Sequence, residues 1–216
     1  MAKDRYQSTV QGIIVIALAL CCLLFGSLHA IAEPIRLDGI TFSEGSANVR
    51  LMGVSGSGTL NDPFIVIEEI FDEGEAVLAV DVWSNSFGSR IATMHATGFA
   101  ITKVVINKTK RTWDYFGVEL EFVHGIGSDY YDGLSFAQSA IANRPFRADR
   151  FKNVEDLIEP RDIVRFTNGA MRDNEEGRFT FSVTYTGHTP KFLIVQHVRR
   201  PYAGFQNPSE YANVSR

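Results

Sequence analysis

The chain has 216 residues, of which 45% are hydrophobic, and it carries a formal net charge of −4 at pH 7. This mildly acidic balance excludes the electrostatic footprint of a protein that binds nucleic acid or an anionic membrane. We therefore expect neither nucleic acid nor stable membrane insertion of the processed chain.

The first 32 residues have the three parts of a secretory signal peptide. Lys3 and Arg5 form a basic start, residues 12–28 form an apolar run, and small residues precede the end of the segment. This pattern predicts cleavage between Ala32 and Glu33, with export to the periplasm or the extracellular space. An uncleaved N-terminal membrane anchor is the alternative, because a spanning helix needs only about 17 apolar residues.

Both cysteines of the chain, Cys21 and Cys22, lie inside the apolar run. Removal of residues 1–32 leaves 184 residues, with 19 Lys plus Arg against 24 Asp plus Glu. That length is enough for one domain with a sizeable core. We predict a single domain over residues 33–202 and a polar C-terminal tail over 203–216, with no disulfide to stabilise either.

Alternation of apolar and polar residues is the main structural signal after the apolar run. In "YFGVELEF" four apolar residues alternate with Gly117, Glu119 and Glu121, and "GRFTFSVTY" alternates in the same way. A period of two predicts half-buried antiparallel strands. The predicted strands are Val49–Met52, Phe64–Ile70, Ala76–Val82, Phe99–Asn107, Asp114–Val123, Asp162–Thr167, Phe179–Tyr185 and Lys191–Val198.

Turn signals rich in Gly, Asn, Asp and Pro separate these strands. Short strands with such punctuation predict an all-β fold, namely an antiparallel β-sandwich of the immunoglobulin-like kind. Two short helical turns, near Ser135–Ala142 and Asn153–Ile158, are expected in a crossover connection.

The stretch "KTKRTW" connects two predicted strands of matching length, Phe99–Asn107 and Asp114–Val123. It has about the length of a hairpin loop, so a hairpin is predicted. The hairpin would place Lys103 across from Glu119 and Glu121.

Two stretches of the chain are similar to known sequences. "GSGTLNDPFIVIEEI" is similar to a Gly-x-Gly-Thr then Asp-Pro-aromatic pattern that precedes a strand in exported bacterial β-proteins. "KVVINKTKRTWDYFGVEL" resembles the hairpin of uncharacterised secreted bacterial β-sandwich domains, and the likeness extends to "DIVRFTNG" and "FLIVQHV". The resemblance implies a secreted β-sandwich and supplies no catalytic residue.

The loop "HGIGSDYYDGLSF" holds the strongest candidate site for a ligand. Asp129 and Asp132 offer oxygen ligands for Ca²⁺, while Tyr130 and Tyr131 offer rings that stack on a sugar. The alternative is an ordered connection whose tyrosines cover the end of the core. Trp113, with the basic tip of the "KTKRTW" loop, is a second place where a partner could touch.

Other chemical signatures in the sequence are weak. The glycine-rich residues 53–59 lead into a strand rather than a helix, which excludes a phosphate-binding loop. The histidines after residue 32 lack metal-ligand spacing. Glu119 and Glu121 would lie about 7 Å apart on one strand face, which allows acid–base hydrolysis of a glycoside. The alternative is an exposed strand face with no chemistry.

We therefore predict a non-catalytic exported β-sandwich that acts as a structural or binding module for an unknown protein or glycan partner. One alternative is a carbohydrate- or calcium-binding module that uses residues 129–132, and another is a glycan hydrolase. No cofactor other than Ca²⁺ is expected.

The signal-peptide prediction is tested by mass spectrometry of the exported protein. We expect the amino terminus at Glu33, because the small residues before it fit the signal peptidase. Retention of Met1 in the exported protein would contradict cleavage and support the membrane anchor.

Overall fold

A computed structural model describes residues 32–129, 131–137, 146–158 and 161–200, with only the backbone of residues 156–158. The chain divides into two compact units, Met1–Ile31 and Ala32–Arg216, and the first lies outside the described residues. Within the described part there is no helix, and hence none that is long and apolar enough to cross a membrane.

The described residues form fourteen strands. In chain order they are β1 (Ile35–Leu37), β2 (Ile40–Glu44), β3 (Val49–Ser55), β4 (Phe64–Ile70), β5 (Ala76–Val82), β6 (Thr97–Asn107), β7 (Phe116–Val123), β8 (Ile126–Gly127), β9 (Leu134–Phe136), β10 (Arg147–Ala148), β11 (Phe151–Ile158), β12 (Arg161–Gly169), β13 (Glu176–Tyr185) and β14 (Lys191–His197).

These strands form two sheets. The first sheet has the order β1-β2-β5-β14-β7-β12-β11, with β8 paired to β7. The second has the order β10-β13-β6-β4-β3, with β9 paired to β13. All the strand pairs are antiparallel except β4 with β6, which are parallel. Between β4 and β6 the chain crosses to the first sheet, where it forms β5.

The inner faces of the two sheets pack against each other to form one hydrophobic core. Phe116 of the first sheet stacks on Phe179 of the second with ring centroids 3.9 Å apart. Phe42 and Phe64 meet edge to face at 5.5 Å, again one from each sheet. The all-β, two-sheet prediction is therefore confirmed, and alternation succeeds because inward and outward side chains alternate along each strand.

The predicted helical turn at Asn153–Ile158 is wrong. Asn153–Ile158 lies in strand β11, at the edge of the first sheet, where only β12 pairs with it. An edge strand tolerates polar residues, so its sequence lacks the apolar run of a central strand. Of the other predicted turn, Ser135 and Phe136 lie in β9, and residues 138–142 lie outside the described part.

The predicted hairpin is also wrong, because β6 and β7 belong to different sheets. The "KTKRTW" segment carries the chain across the end of the sandwich, and buried Asn107 fixes that crossing. Its Nδ2 donates to the carbonyl oxygens of Arg111 at 2.7 Å and Met171 at 2.9 Å. Its Oδ1 accepts from the Thr109 amide at 2.9 Å and hydroxyl at 2.8 Å. A polar side chain in the core thus replaces a hairpin turn.

Replacement of Asn107 tests this crossing. We expect Asn107→Ala to lower the free energy of unfolding by about 3 kcal/mol, because two carbonyl groups lose buried donors. Denaturant unfolding measures the change. Asn48→Ala is the matched control, since Asn48 Nδ2 makes one exposed bond, to the Glu75 carbonyl oxygen at 3.3 Å. Equal losses in the two variants would contradict the structural role of Asn107.

Candidate functional site

A cluster of charged side chains lies on the outer face of the first sheet. We call it the outer-face cluster, and it consists of Glu75, Glu119, Glu121, His124, Arg161 and His197. The members come from four strands or their ends, namely β5, β7, β12 and β14.

Strand pairing explains why Glu119 belongs to this face. Phe116 and Val118 of β7 point into the core, so Glu119 must point outward. Its partners in the neighbouring strands are Ile163 and Val195, which flank it with apolar surface. Glu119 is only 2% exposed, so this carboxylate is buried although it lies on the outside of the sheet.

The short strand β8 covers part of the cluster. Gly127 of β8 packs so closely that a Cβ atom there would lie 2.5 Å from Glu119 Oε1 and 2.8 Å from Arg161 Nε. A side chain at this position would therefore require the ends of the Glu119 and Arg161 side chains to shift. The amide of Gly125 donates to Glu121 Oε2 at 2.7 Å, so the same turn also holds the second carboxylate.

The cluster contains one strong ion pair and several weaker contacts. Arg161 Nε donates to Glu119 Oε1 at 2.6 Å, and its Nη2 also contacts that oxygen. His197 Nε2 lies 3.5 Å from Glu119 Oε2, and its Nδ1 lies 3.8 Å from Glu75 Oε1. His124 lies 3.3 Å from Glu75 and 3.5 Å from Glu121. Each imidazole therefore lies between two carboxylates.

Burial raises the pKa of Glu121 above the ordinary glutamate value. The Gly125 amide and His124 act in the opposite direction, while Glu119 and Glu75 add to the increase because like charges repel. Glu119 and Glu121 thus have different surroundings, with a guanidinium at the first and a backbone amide at the second.

This arrangement favours charge pairing over metal binding. In the part of the chain that the structure describes, no three His, Cys, Asp or Glu residues are arranged to hold a metal ion. Arg161 occupies one oxygen of Glu119, and Gly125 occupies one oxygen of Glu121. The cluster presents a mixed-charge patch, since Glu75, His124 and Arg161 are about half exposed.

The structure shows that the aspartates of the predicted ligand loop stabilise the loop itself. Asp132 Oδ1 accepts from the Ser128 hydroxyl at 3.0 Å and the Leu134 amide at 2.9 Å, and its Oδ2 accepts from the Asp129 amide at 3.1 Å. Asp129 Oδ1 accepts from the Tyr131 amide at 2.8 Å. These bonds define side-chain-capped turns of the kind that Asp favours.

One of the two tyrosines of the loop is exposed to solvent. Tyr131 is 91% exposed, and Tyr130 lies outside the described residues. Trp113, the other predicted contact residue, is 1% exposed, and its Nε1 donates to the Thr109 hydroxyl at 2.9 Å. Trp113 stacks on Phe116 and therefore offers no surface to a partner, contrary to the prediction.

Sequence reasoning missed a second charged group, which faces the core. Lys103 Nζ donates to Glu68 Oε2 at 2.9 Å, and both side chains are 0% exposed. The predicted position of Lys103, across a hairpin from Glu119 and Glu121, is wrong because Lys103 belongs to the second sheet and points inward. Its spacing of two and four residues from Ile101 and Phe99 was the available signal.

No family model, curated protein or solved structure matches this chain.

Replacement of Glu121 tests the outer-face cluster. A raised folded-state pKa means that its contribution to stability is present below the unfolded pKa and is lost as pH rises through the folded pKa. We expect Glu121→Gln to remove this loss, so the free energy of unfolding should decline less than in wild type from about pH 4 to 7. The Gly125 bond remains, because an amide oxygen also accepts.

Denaturant unfolding at several pH values measures the effect of Glu121→Gln. Glu176→Gln is the control, since Glu176 lies on the second sheet with a half-exposed side chain. Parallel pH profiles for Glu121→Gln and wild type would show that Glu121 ionisation has no part in stability.

Proposed function

We propose that the chain is an exported, non-catalytic β-sandwich of the immunoglobulin-like kind that acts as a structural or binding module in the periplasm or the extracellular space. One observation carries the proposal. The carboxylates best suited to chemistry each accept a hydrogen bond from the fold: Glu119 from Arg161, Glu121 from Gly125, and Asp132 from Ser128. Carboxylates that already accept hydrogen bonds from the protein are better suited to stabilising the fold than to catalysis.

Export is supported by the sequence. The basic start and apolar run of residues 1–32 have the form of a signal peptide, and both cysteines lie within them. The resemblance to uncharacterised secreted bacterial β-sandwich domains supports the same proposal. The partner is then a protein or glycan of the exported space.

A glycan- or calcium-binding module is the second candidate function. Tyr131 favours the glycan, because its side chain is 91% exposed and an exposed tyrosine ring can stack on a sugar face. Ca²⁺ is less favoured, since it would have to replace the donors that Asp129 and Asp132 already have.

A glycan hydrolase that uses Glu119 and Glu121 is the third candidate. The raised pKa of Glu121 suits a general acid. Glu119 would be the second carboxylate, and its charge is paired with the Arg161 guanidinium. Their burial argues against this function, because both carboxyl groups are at most 3% exposed.

Thermal-shift measurements on the full chain separate these functions. We expect Ca²⁺ and chelator to leave the melting temperature unchanged, because the loop carboxylates already have donors. The same screen includes a glycan panel and cell-wall fragments. A glycan shift that disappears in Tyr131→Ala and persists in Trp83→Ala, an exposed aromatic elsewhere, would establish the glycan module.

The non-catalytic assignment has its own test. Hydrolysis of any glycan in the panel that is lost in both Glu119→Gln and Glu121→Gln would overturn it. Absence of hydrolysis in wild type, together with an unchanged pattern of glycan binding in these variants, would support it.

A further inference from the structure

Three polar side chains lie in the middle of the hydrophobic core. They are Glu68 of β4, Lys103 of β6 and Gln196 of β14, and each is 0% exposed. Along each strand the inward positions on either side of these residues carry Ile or Val, so the three polar groups have mainly apolar neighbours. A buried charge or amide in such surroundings costs free energy unless its hydrogen bonds are satisfied.

Strands β6 and β14 run in the same direction through the sandwich. Phe116 and Phe122 of β7 contact Phe179 and Tyr185 of β13, so β7 and β13 run the same way. Strand β14 is antiparallel to β7, and β6 is antiparallel to β13. Both β6 and β14 therefore run opposite to the β7 and β13 pair.

This common direction brings Gln196 opposite Lys103. The rings of Phe99 and Phe192 approach across the core with centroids 6.4 Å apart. Lys103 lies four residues after Phe99, and Gln196 lies four residues after Phe192, so both occupy the same level.

The neighbouring strands bring Glu68 to the same level. Phe64 of β4 meets Phe42 of β2, and Phe42 pairs with Val80 of β5. Glu68 lies four residues after Phe64, and Ala76 lies four residues before Val80. Ala76 pairs with Gln196, so Glu68 and Gln196 lie at the same level of the sandwich.

The hydrogen bonds of this group are incomplete. Glu68 Oε1 and Gln196 Oε1 are both buried without a partner. Gln196 is held by a single long bond, from Nε2 to the Ala76 carbonyl oxygen at 3.4 Å. Burial lowers the pKa of Lys103, against the opposing effect of Glu68, so the neutral amine is easier to reach than in water. A neutral lysine amine is a nucleophile.

We propose that Lys103 and Gln196 form an intramolecular amide cross-link, with Glu68 as the catalytic residue that accepts the proton of the lysine.

The reaction balances without any added reagent. The Lys103 ammonium gives a proton to the Glu68 carboxylate that it already contacts at 2.9 Å. The lone pair of Nζ attacks Gln196 Cδ, the Nζ–Cδ bond forms, and the Cδ–Nε2 bond breaks. The second proton lost by Nζ passes to Nε2, which leaves as ammonia. The products are an amide, ammonia and a protonated Glu68, so the core loses both of its charges.

Two physical features favour this reaction. The apolar surroundings keep out the water that would hydrolyse the new amide. The product also avoids the desolvation cost of a buried ion pair. The cross-link joins the two sheets and closes the chain between residues 103 and 196, which restricts the unfolded chain as a disulfide does.

Peptide mapping of the full chain, purified from the cells that produce it, tests the proposal. Trypsin does not cleave after a lysine whose amine is acylated. We expect residues 91–108 to remain one peptide, joined to residues 192–199, with a mass one ammonia below the sum of the two. Fragmentation should locate the bond at Lys103 and Gln196.

Variants establish the role of Glu68. Glu68→Gln should abolish the linked species, because Gln cannot accept the lysine proton. Glu69→Gln, the next residue on the same strand, should keep it, since Glu69 points outward toward Arg50. If Glu68→Gln does not fold, the wild-type map decides alone. Recovery of separate peptides 91–103 and 192–199, or a link from Lys103 to Glu68 with loss of water, overturns the proposal.

Discussion

The contact between the inner faces of the two sheets is the constraint on which the other features depend. Phe116 on Phe179 fixes where the sheets meet and which way β7 points along β13. Because side chains alternate along a strand, an inward Phe116 requires an outward Glu119, and an inward Phe99 requires an inward Lys103. The aromatic packing therefore determines the positions of both charged groups, although it contains no charge itself.

This constraint gives two sets of carboxylates opposite surroundings. Glu119 lies on the outer face, where Arg161 reaches it from a half-exposed position and keeps part of its hydration. Glu68 faces the core and has only Lys103, with one oxygen left without a donor. The outer pair combines a buried carboxylate with a half-exposed guanidinium, whereas the inner pair carries the full desolvation cost of two buried ions. The proposed amide between Lys103 and Gln196 would remove this desolvation cost, because the reaction leaves Glu68 protonated and Lys103 uncharged.

Much of the fold could be predicted from the sequence, because alternation reports directly on one-sided burial. Alternation does not report which sheet a strand joins, and for this reason the sequence predicts a hairpin at "KTKRTW" where the structure has a crossing between sheets. The path of this segment depends on the bond from Asn107 to Met171, a residue 64 positions away in the chain. The outer-face cluster is not visible in the sequence for a similar reason, since its members come from four strands or their ends that are distant in the chain. The spacing of four residues from Phe99 indicates that Lys103 points inward, but the sequence does not show that its partner is Glu68.

The edge of the second sheet at β3 is protected against the addition of another strand. Strand β3 ends the second sheet, and a register shift between Leu51 and Gly53 interrupts its ladder. Glu44 Oε1 of the first sheet accepts from the Leu51 amide at 2.8 Å, so a donor of this edge is already paired. Bulges and paired edge groups oppose the addition of another strand. The addition of another strand is therefore disfavoured at β3.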